Sequence, residues 1–200
     1  MDQAKWLKEH LDNVLRWLPG VENDLARMCS SFAVPFGLAV GWIELESGGN
    51  PHEKTPIGEV SVWQISPEEA ADMGLDIVRL EHDPQYGLSA GFELVHRYQR
   101  AVGRLKVPNL AIGTEYYWRL VKLGHSMGGG AMRRLMTDAI NQQAYESWDL
   151  LKPFALSNTA KYLKLLKHSP AKWFEFVDRV FLVGKSYGVS NQQVFSNGAA

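Results

Sequence analysis

Apolar positions recur every three to four residues along most of this 200-residue chain, and that spacing predicts a mainly α fold. Residues 2–18 set Leu7, Leu11, Val14 and Leu18 on one stripe, with Lys5, Glu9, Asp12 and Arg16 mostly elsewhere, and Pro19-Gly20 stops the helix. Such a first helix either packs on its own domain or docks a partner, and the pattern leaves both open. Residues 21–32 read as a second helix. Pro35 suits the first turn of a third, which runs from Phe36 to Glu46. From Gly48 to Ile65 the chain is rich in Gly, Pro, Ser and Thr and reads as loop with one short hairpin at most. Further helices are predicted over 67–73, 83–102, 112–124, 130–157 with a break near Pro153, 159–168 and 170–187. No internal repeat, low-complexity segment or linker divides the chain. The expected layout is one globular domain at 21–188, an N-terminal helical extension at 1–20 and a polar tail at 189–200.

The third helix carries the most telling residue. Glu46 closes an apolar helix and is followed by Ser47-Gly48-Gly49-Asn50-Pro51, a run that cannot continue it. A carboxyl carried inward on a hydrophobic stem, where the chain must turn, is suited to general-acid work. Apolar surroundings disfavour its charged form, and the negative end of the helix dipole acts the same way. Such an acid donates its proton to a leaving oxygen. Glu44 is the rival carboxyl. At roughly 100° per residue, Phe36, Leu38, Ala39, Val40, Trp42, Ile43 and Leu45 fill one broad arc, with Glu46 near its middle. Glu44 falls outside, on the side of Gly37 and Gly41. Glu46 is therefore expected to point at apolar neighbours, and Glu44 at solvent or a tightly packed backbone. The plainer reading of Glu46 is a terminal residue that reaches water past the last turn.

Composition narrows the classes. Hydrophobic residues make up 46% of the chain, enough for one good core. The net charge is -1, and Lys and Arg are spread without a basic run, which excludes a phosphate-tracking nucleic-acid binder. Cys29 is the only cysteine, so no intramolecular disulfide supports the fold. No uninterrupted apolar run reaches membrane-spanning length, and the N-terminus lacks the layout of a signal peptide. The expected product is a soluble protein made in the cytoplasm. The six His show no ligand spacing, so neither a catalytic metal nor another cofactor is expected. Ser126-Met127-Gly128 lacks the full nucleophile elbow, and Gly128-Gly129-Gly130 lacks the Lys and Ser/Thr of a phosphate loop.

Four segments in order carry a resemblance. The block from Phe32 to Pro51, ending Glu46-Ser47-Gly48-Gly49-Asn50-Pro51, resembles the first motif of the soluble lytic transglycosylases, which belong to the lysozyme-like superfamily and cut peptidoglycan glycan strands. Gly58-Glu59-Val60-Ser61-Val62-Trp63-Gln64-Ile65-Ser66-Pro67-Glu68-Glu69-Ala70 resembles the second, with Ser61, Val62 and Trp63 where the family has Gly, Leu and Met. Asp83-Pro84 followed by Ala90-Gly91 resembles the next segment. Gly124-His125-Ser126-Met127-Gly128-Gly129-Gly130 stands where the family has Ala-Tyr-Asn-Ala-Gly-Pro-Gly, and Thr159-Ala160-Lys161-Tyr162 resembles the closing motif.

The resemblance implies a lysozyme-like fold with minimal β structure, and an enzyme that cleaves the bond between N-acetylmuramic acid and N-acetylglucosamine. It makes Glu46 the single catalytic acid/base. It makes Ser47, Gln64, Ser66, His125, Ser126 and Tyr162 groove residues, with Tyr162 reaching toward the catalytic Glu. Trp63 is either a sugar-stacking platform or a core residue in place of Met. A water-using muramidase is the alternative within enzymes, and hydrolysis would ordinarily need a second carboxylate. A structural virion component with a degraded site is the alternative outside them, and the altered third motif speaks for it. A cell-wall substrate without an export signal points to a phage protein, carried in the virion or released at lysis, with phage tail or other virion proteins as partners through the N-terminal helix.

Overall fold

A computed structural model describes residues 2–163 and 169–190, and among them the chain is mainly helical. Eleven α-helices follow in order: α1 (Gln3–Trp17), α2 (Glu22–Phe32), α3 (Phe36–Ser47), α4 (Pro67–Met73), α5 (Ile77–His82), α6 (Pro84–Gly103), α7 (Glu115–Met127), α8 (Gly129–Asn141), α9 (Trp148–Ser157), α10 (Thr159–Leu163) and α11 (Pro170–Ser190). The described residues form no strand. Isolated antiparallel bridges join Lys54 to Val60 and Val60 to Ile65, within the loop expected to hold one short hairpin at most. The ends expected at 164–168 and in the tail beyond 190 lie outside the described residues.

Local chemistry explains most boundaries. Asp2 starts α1 by accepting from the Ala4 amide, and Ala33 and Gly48, both left-handed at φ 52° and 60°, end α2 and α3. Helix α5 escapes the sequence pattern. It has only six residues, and Asp76 starts it by accepting from the Val78 and Arg79 amides. Helix α7 begins at Glu115 rather than 112, because the Thr114 side chain accepts from the Tyr117 amide. The break expected near Pro153 falls instead at 142–147. Gln143 turns to φ 55° there, Ser147 caps the new helix, and Pro153 sits inside α9. Only one helical carbonyl, that of Asp149, loses its partner to that proline.

The chain divides into two compact units, residues 1–94 with 179–200, and residues 95–178. In the first unit α3 is the centre, and every residue from Gly37 to Glu44 is buried. A helix apolar all round belongs in a core. It meets α11 backbone to backbone: a Cβ added at Gly41 would lie 2.3 Å from the Val180 carbonyl oxygen, and one at Gly184 would lie 2.3 Å from that of Gly37. Helices α1 and α2 bury Val14, Leu25 and Cys29. Burial pushes the Cys29 thiol up to about 12, which leaves it unreactive. Trp63 stands edge-on to Trp42 and Phe92, with ring centroids 5.7 and 5.2 Å away.

In the second unit α7 buries Tyr117, Trp118, Leu120, Val121 and Leu123, and α8 buries Met132, Leu135 and Met136. Gly124 admits the Met132 sulfur, which would lie 2.8 Å from an added Cβ. Asp178 gathers Arg119, Lys152 Nζ at 2.6 Å and the Trp148 indole N–H at 2.8 Å. No single helix among the described residues is long and apolar enough to cross a membrane.

Candidate functional site in the first unit

The two carboxyls of α3 sit the other way round from the sequence expectation. Glu44 is buried, with 3% of its surface exposed, while Glu46 is half-buried. Three donors from α1 meet the Glu44 carboxylate. Asn13 Nδ2 and Trp17 Nε1 each donate to Oε2 at 2.9 Å, and His10 Nδ1 lies 2.6 Å from Oε1. A carboxylate deep in a protein needs such partners. Between Gly37 and Glu44 the helix α3 has no solvent face. A helix enclosed on all sides does not reveal from periodicity which carboxyl is satisfied by polar neighbours.

Glu46 therefore lies two residues beyond the enclosed stretch, on the last turn before Gly48 reverses the chain. Its neighbour Ser47 ties that end down. The Ser47 hydroxyl donates within reach of two carbonyls, its own helix's Ile43 at 3.2 Å and Val62 at 3.0 Å. The Val62 contact brings the 60–65 loop against the end of α3, so the first two motifs of the resemblance meet in one unit. Gly49 completes the junction. An added Cβ there would lie 2.2 Å from the Trp17 ring, so only glycine lets α1 close on the turn.

The 60–65 loop is shaped by two residues in left-handed conformation, Ser61 at φ 70° and Gln64 at φ 52°. Neither is glycine, and such positions cost on the order of 1 kcal/mol each. Gln64 is buried. Its amide nitrogen donates to Ser61 O at 2.8 Å and lies 3.4 Å from Glu53 O, while its Oε1 finds no partner within the described protein. Ser66 caps α4, accepting from the Glu69 amide at 3.2 Å while Glu69 Oε2 accepts from the Ser66 amide at 3.2 Å. Trp63 is a core residue, 1% exposed, with its indole N–H on Leu88 O at 3.2 Å. It cannot stack on a sugar. One cavity of about 90 Å³ beside α3 is walled by Trp17, Asp24, Ile43, Gly49, Val62 and Leu88 among others, and Glu46 is not in its wall.

The remaining candidates lie in the second unit. His125 and Ser126 are half-buried at the end of α7, and both touch Lys122, a residue the sequence reading passed over. Its signal was present, a lysine inside the apolar run Leu120-Val121-Lys122-Leu123, three and four residues before His125 and Ser126. Burial, then the Lys122 charge, hold the His125 imidazole well below the usual histidine range. Tyr162 is buried and donates to Asp138 Oδ2 at 2.9 Å, a partner not anticipated. Burial and that carboxylate raise the phenol above its ordinary value. Among the described residues no group of three or more His, Cys, Asp or Glu side chains is arranged to hold a metal ion.

Compared with known proteins, the chain matches no family model and no curated protein.

Proposed function

We propose that the chain is a lysozyme-like peptidoglycan lytic transglycosylase with Glu46 as its acid/base. One observation carries the reading. The Glu46-Ser47 end of α3 is hydrogen-bonded to the 60–65 loop through Ser47 and Val62, at 3.0 Å. Ser47 and Val62, 15 residues apart in sequence, thereby tie the two motifs together beside a half-buried carboxyl. The loop adds support. Ser61 adopts φ 70° at the position where the resembled family has glycine, so the backbone shape that glycine would favour is kept although the residue is not. Strained non-glycine positions gather at functional loops.

The reaction follows from one carboxyl acting twice. In its acid form Glu46 donates a proton to the glycosidic oxygen, and the bond from that oxygen to the muramyl C1 breaks. The muramyl acetamido oxygen stabilises the positive charge left at C1. Glu46, now a carboxylate, takes the proton of the C6 hydroxyl, and O6 bonds to C1 to close a 1,6-anhydro ring. No water is consumed, and the carboxyl ends as it began. A second carboxylate is needed only for a water-using mechanism. Glu44 cannot be that partner, because its oxygens are committed to α1.

Digestion of purified murein followed by mass spectrometry tests the reading. Anhydro-muramyl ends from the parent and none from Glu46→Gln are the expected result. Reducing ends would replace the lyase with a hydrolase. Equal cleavage by mutant and parent would remove Glu46 from the chemistry, and no cleavage by either would leave a structural protein.

A further inference from the structure

Between Glu93 and Glu115 the chain has no acidic residue, yet that stretch carries Arg97, Arg100, Arg104 and Lys106. The cations are not consecutive, and it is the want of acids among them that sets the stretch apart. Several exposed cations elsewhere pair with a carboxylate, as in Lys8–Asp12, Arg27–Asp24, Lys54–Glu81 and Arg79–Asp83. Arg100, Arg104 and Lys106 are exposed, and none of the three meets a carboxylate among the described residues.

Local structure gathers them. Arg104 continues the last turn of α6, its amide donating to the Arg100 carbonyl at 3.1 Å, so the two side chains share a face. The loop that follows is held at Val107, which is buried, and reverses at once. The Leu110 amide donates to the Val107 carbonyl at 3.3 Å. Such a turn keeps its ends within about 7 Å, so Lys106 and Ala111 stand on the two arms of one reversal. The Thr114 hydroxyl then donates to the Ala111 carbonyl at 2.8 Å, just before α7 begins. Between these anchors Ile112 is 83% exposed, more than any other large hydrophobic residue described.

One exposed isoleucine means little by itself. Beside unopposed cations it selects the partner. A phosphate polymer would satisfy the cations and leave Ile112 in water. The only aromatic residue of the stretch, Tyr98, is buried and offers no base a stacking face. A bilayer holding anionic lipid satisfies both features, with phosphates at its surface and acyl chains just beneath.

We propose that the end of α6 and the 104–113 loop form a docking surface for an anionic phospholipid bilayer. Arg100, Arg104 and Lys106 meet the headgroup phosphates, and Ile112 enters the acyl boundary. The whole chain has a net charge of -1, so attraction to such a surface has to be local. Each Lys or Arg near an anionic surface strengthens binding about fivefold, which sets the three together at about a hundredfold. The inference does not rest on the glycan reading, since no residue proposed for that site lies in the stretch.

Sedimentation of the full-length protein with sucrose-loaded vesicles tests this. Phosphatidylcholine vesicles with about one third phosphatidylglycerol are expected to bind it at least about tenfold more tightly than phosphatidylcholine alone. Added salt is expected to remove most of that difference. Arg104→Gln/Lys106→Gln should weaken binding at least about tenfold. Lys5→Gln/Lys8→Gln, the same change in net charge made on α1, should alter it less than about twofold. Ile112→Trp should bind more tightly, and its added fluorescence should be quenched by lipids brominated in the acyl chain. All five substituted side chains are exposed, so the variants keep the fold. Equal binding to the two kinds of vesicle, equal loss in the two double variants, or an Ile112→Trp signal untouched by brominated lipid would overturn the proposal. So would an oligonucleotide bound more tightly than the anionic vesicles, which would give the patch to nucleic acid. Murein cleavage enters none of these readouts, so their failure would leave the transglycosylase reading standing.

Discussion

The Trp17 indole N–H donates to Glu44 Oε2 at 2.9 Å, which pins the last turn of α1 to a carboxylate inside the central helix α3. Asn13 shares that oxygen and His10 takes the other. The face of α1 that carries these side chains is thus used within its own unit, and what α1 leaves outside is mainly Lys5, Lys8, Glu9, Asp12, Leu15 and Arg16. Trp17→Phe removes the donor and part of the ring system but keeps a ring against Gly49, and is expected to cost about 1–2 kcal/mol. Glu44→Ala strands three donors and opens a hole, and is expected to cost about 3–5 kcal/mol. Urea unfolding measures both as shifts in midpoint at constant slope. A Glu44→Ala midpoint equal to the parent's would show that α1 needs no carboxylate beneath it.

The two carboxyls of α3 are expected to separate cleanly when each becomes an amide. Glu46→Gln sits on a half-buried turn and is expected to leave the unfolding midpoint within about 0.5 kcal/mol of the parent. Murein cleavage should fall about 10³-fold, the usual scale for losing a general acid. Glu44→Gln should do the reverse. Its amide accepts more weakly than a carboxylate, and its nitrogen fits only if the His10 ring turns to the tautomer that accepts at Nδ1, so stability falls by about 1–3 kcal/mol, while whatever protein stays folded still cleaves murein. Loss of cleavage in folded Glu44→Gln would move the chemistry to the buried residue.

The helices were largely legible in the sequence, since periodicity, Pro and Gly mark them directly. Pro67 to Met73 was read to the residue. What failed shares a cause. Periodicity reports which side of a helix is apolar, and α3 has no polar side through Gly37–Glu44, so the pattern could not tell that Glu44 is enclosed with partners from α1. Trp63 was ambiguous for a similar reason. Its place in the core depends on Gly91, a residue 28 positions away that leaves room for the ring. Lys122 was legible in principle, as a charge within an apolar run, but its partners appear only when the helix is built. The Pro153 break was misplaced because a proline inside a helix removes only one hydrogen bond, and α9 continues past it.

Glycine carries the closest contacts of the first unit, and alanine should expose them. At Gly41 an added Cβ would lie 2.3 Å from a backbone oxygen of α11, which cannot swing aside as a side chain can. At Gly91 it would lie 1.8 Å from the Trp63 ring, itself held by Leu88 and two other aromatic rings. Gly41→Ala and Gly91→Ala are each expected to cost at least about 3 kcal/mol, the upper end for overpacking. Gly74→Ala is a useful contrast. Nothing lies within 4 Å of its added Cβ, but its φ of 66° is strained for alanine, so a cost of about 1 kcal/mol is expected. Thermal melts of the three variants rank them. A Gly41→Ala melt at the parent temperature would show that α3 and α11 stand further apart than the structure places them.

His125 gives the second unit a predictable acid sensitivity. Burial and the neighbouring Lys122 charge hold its folded pKa well below the ordinary histidine value, whereas the unfolded chain titrates near about 6.5. Above that pH the ring is neutral in both states and contributes no pH dependence. As the pH falls through about 6.5 the unfolded chain takes up a proton that the folded one refuses, so stability declines until the depressed folded pKa is reached. One group can contribute a slope of at most about 1.4 kcal/mol per pH unit. Urea midpoints measured from about pH 7.5 down to about pH 5 should therefore fall for the parent and fall less steeply for His125→Gln, which has no proton to take up. Parallel pH curves for the two proteins would mean that the imidazole accepts its proton as readily when folded as when unfolded, and that the ammonium of Lys122 does not face it.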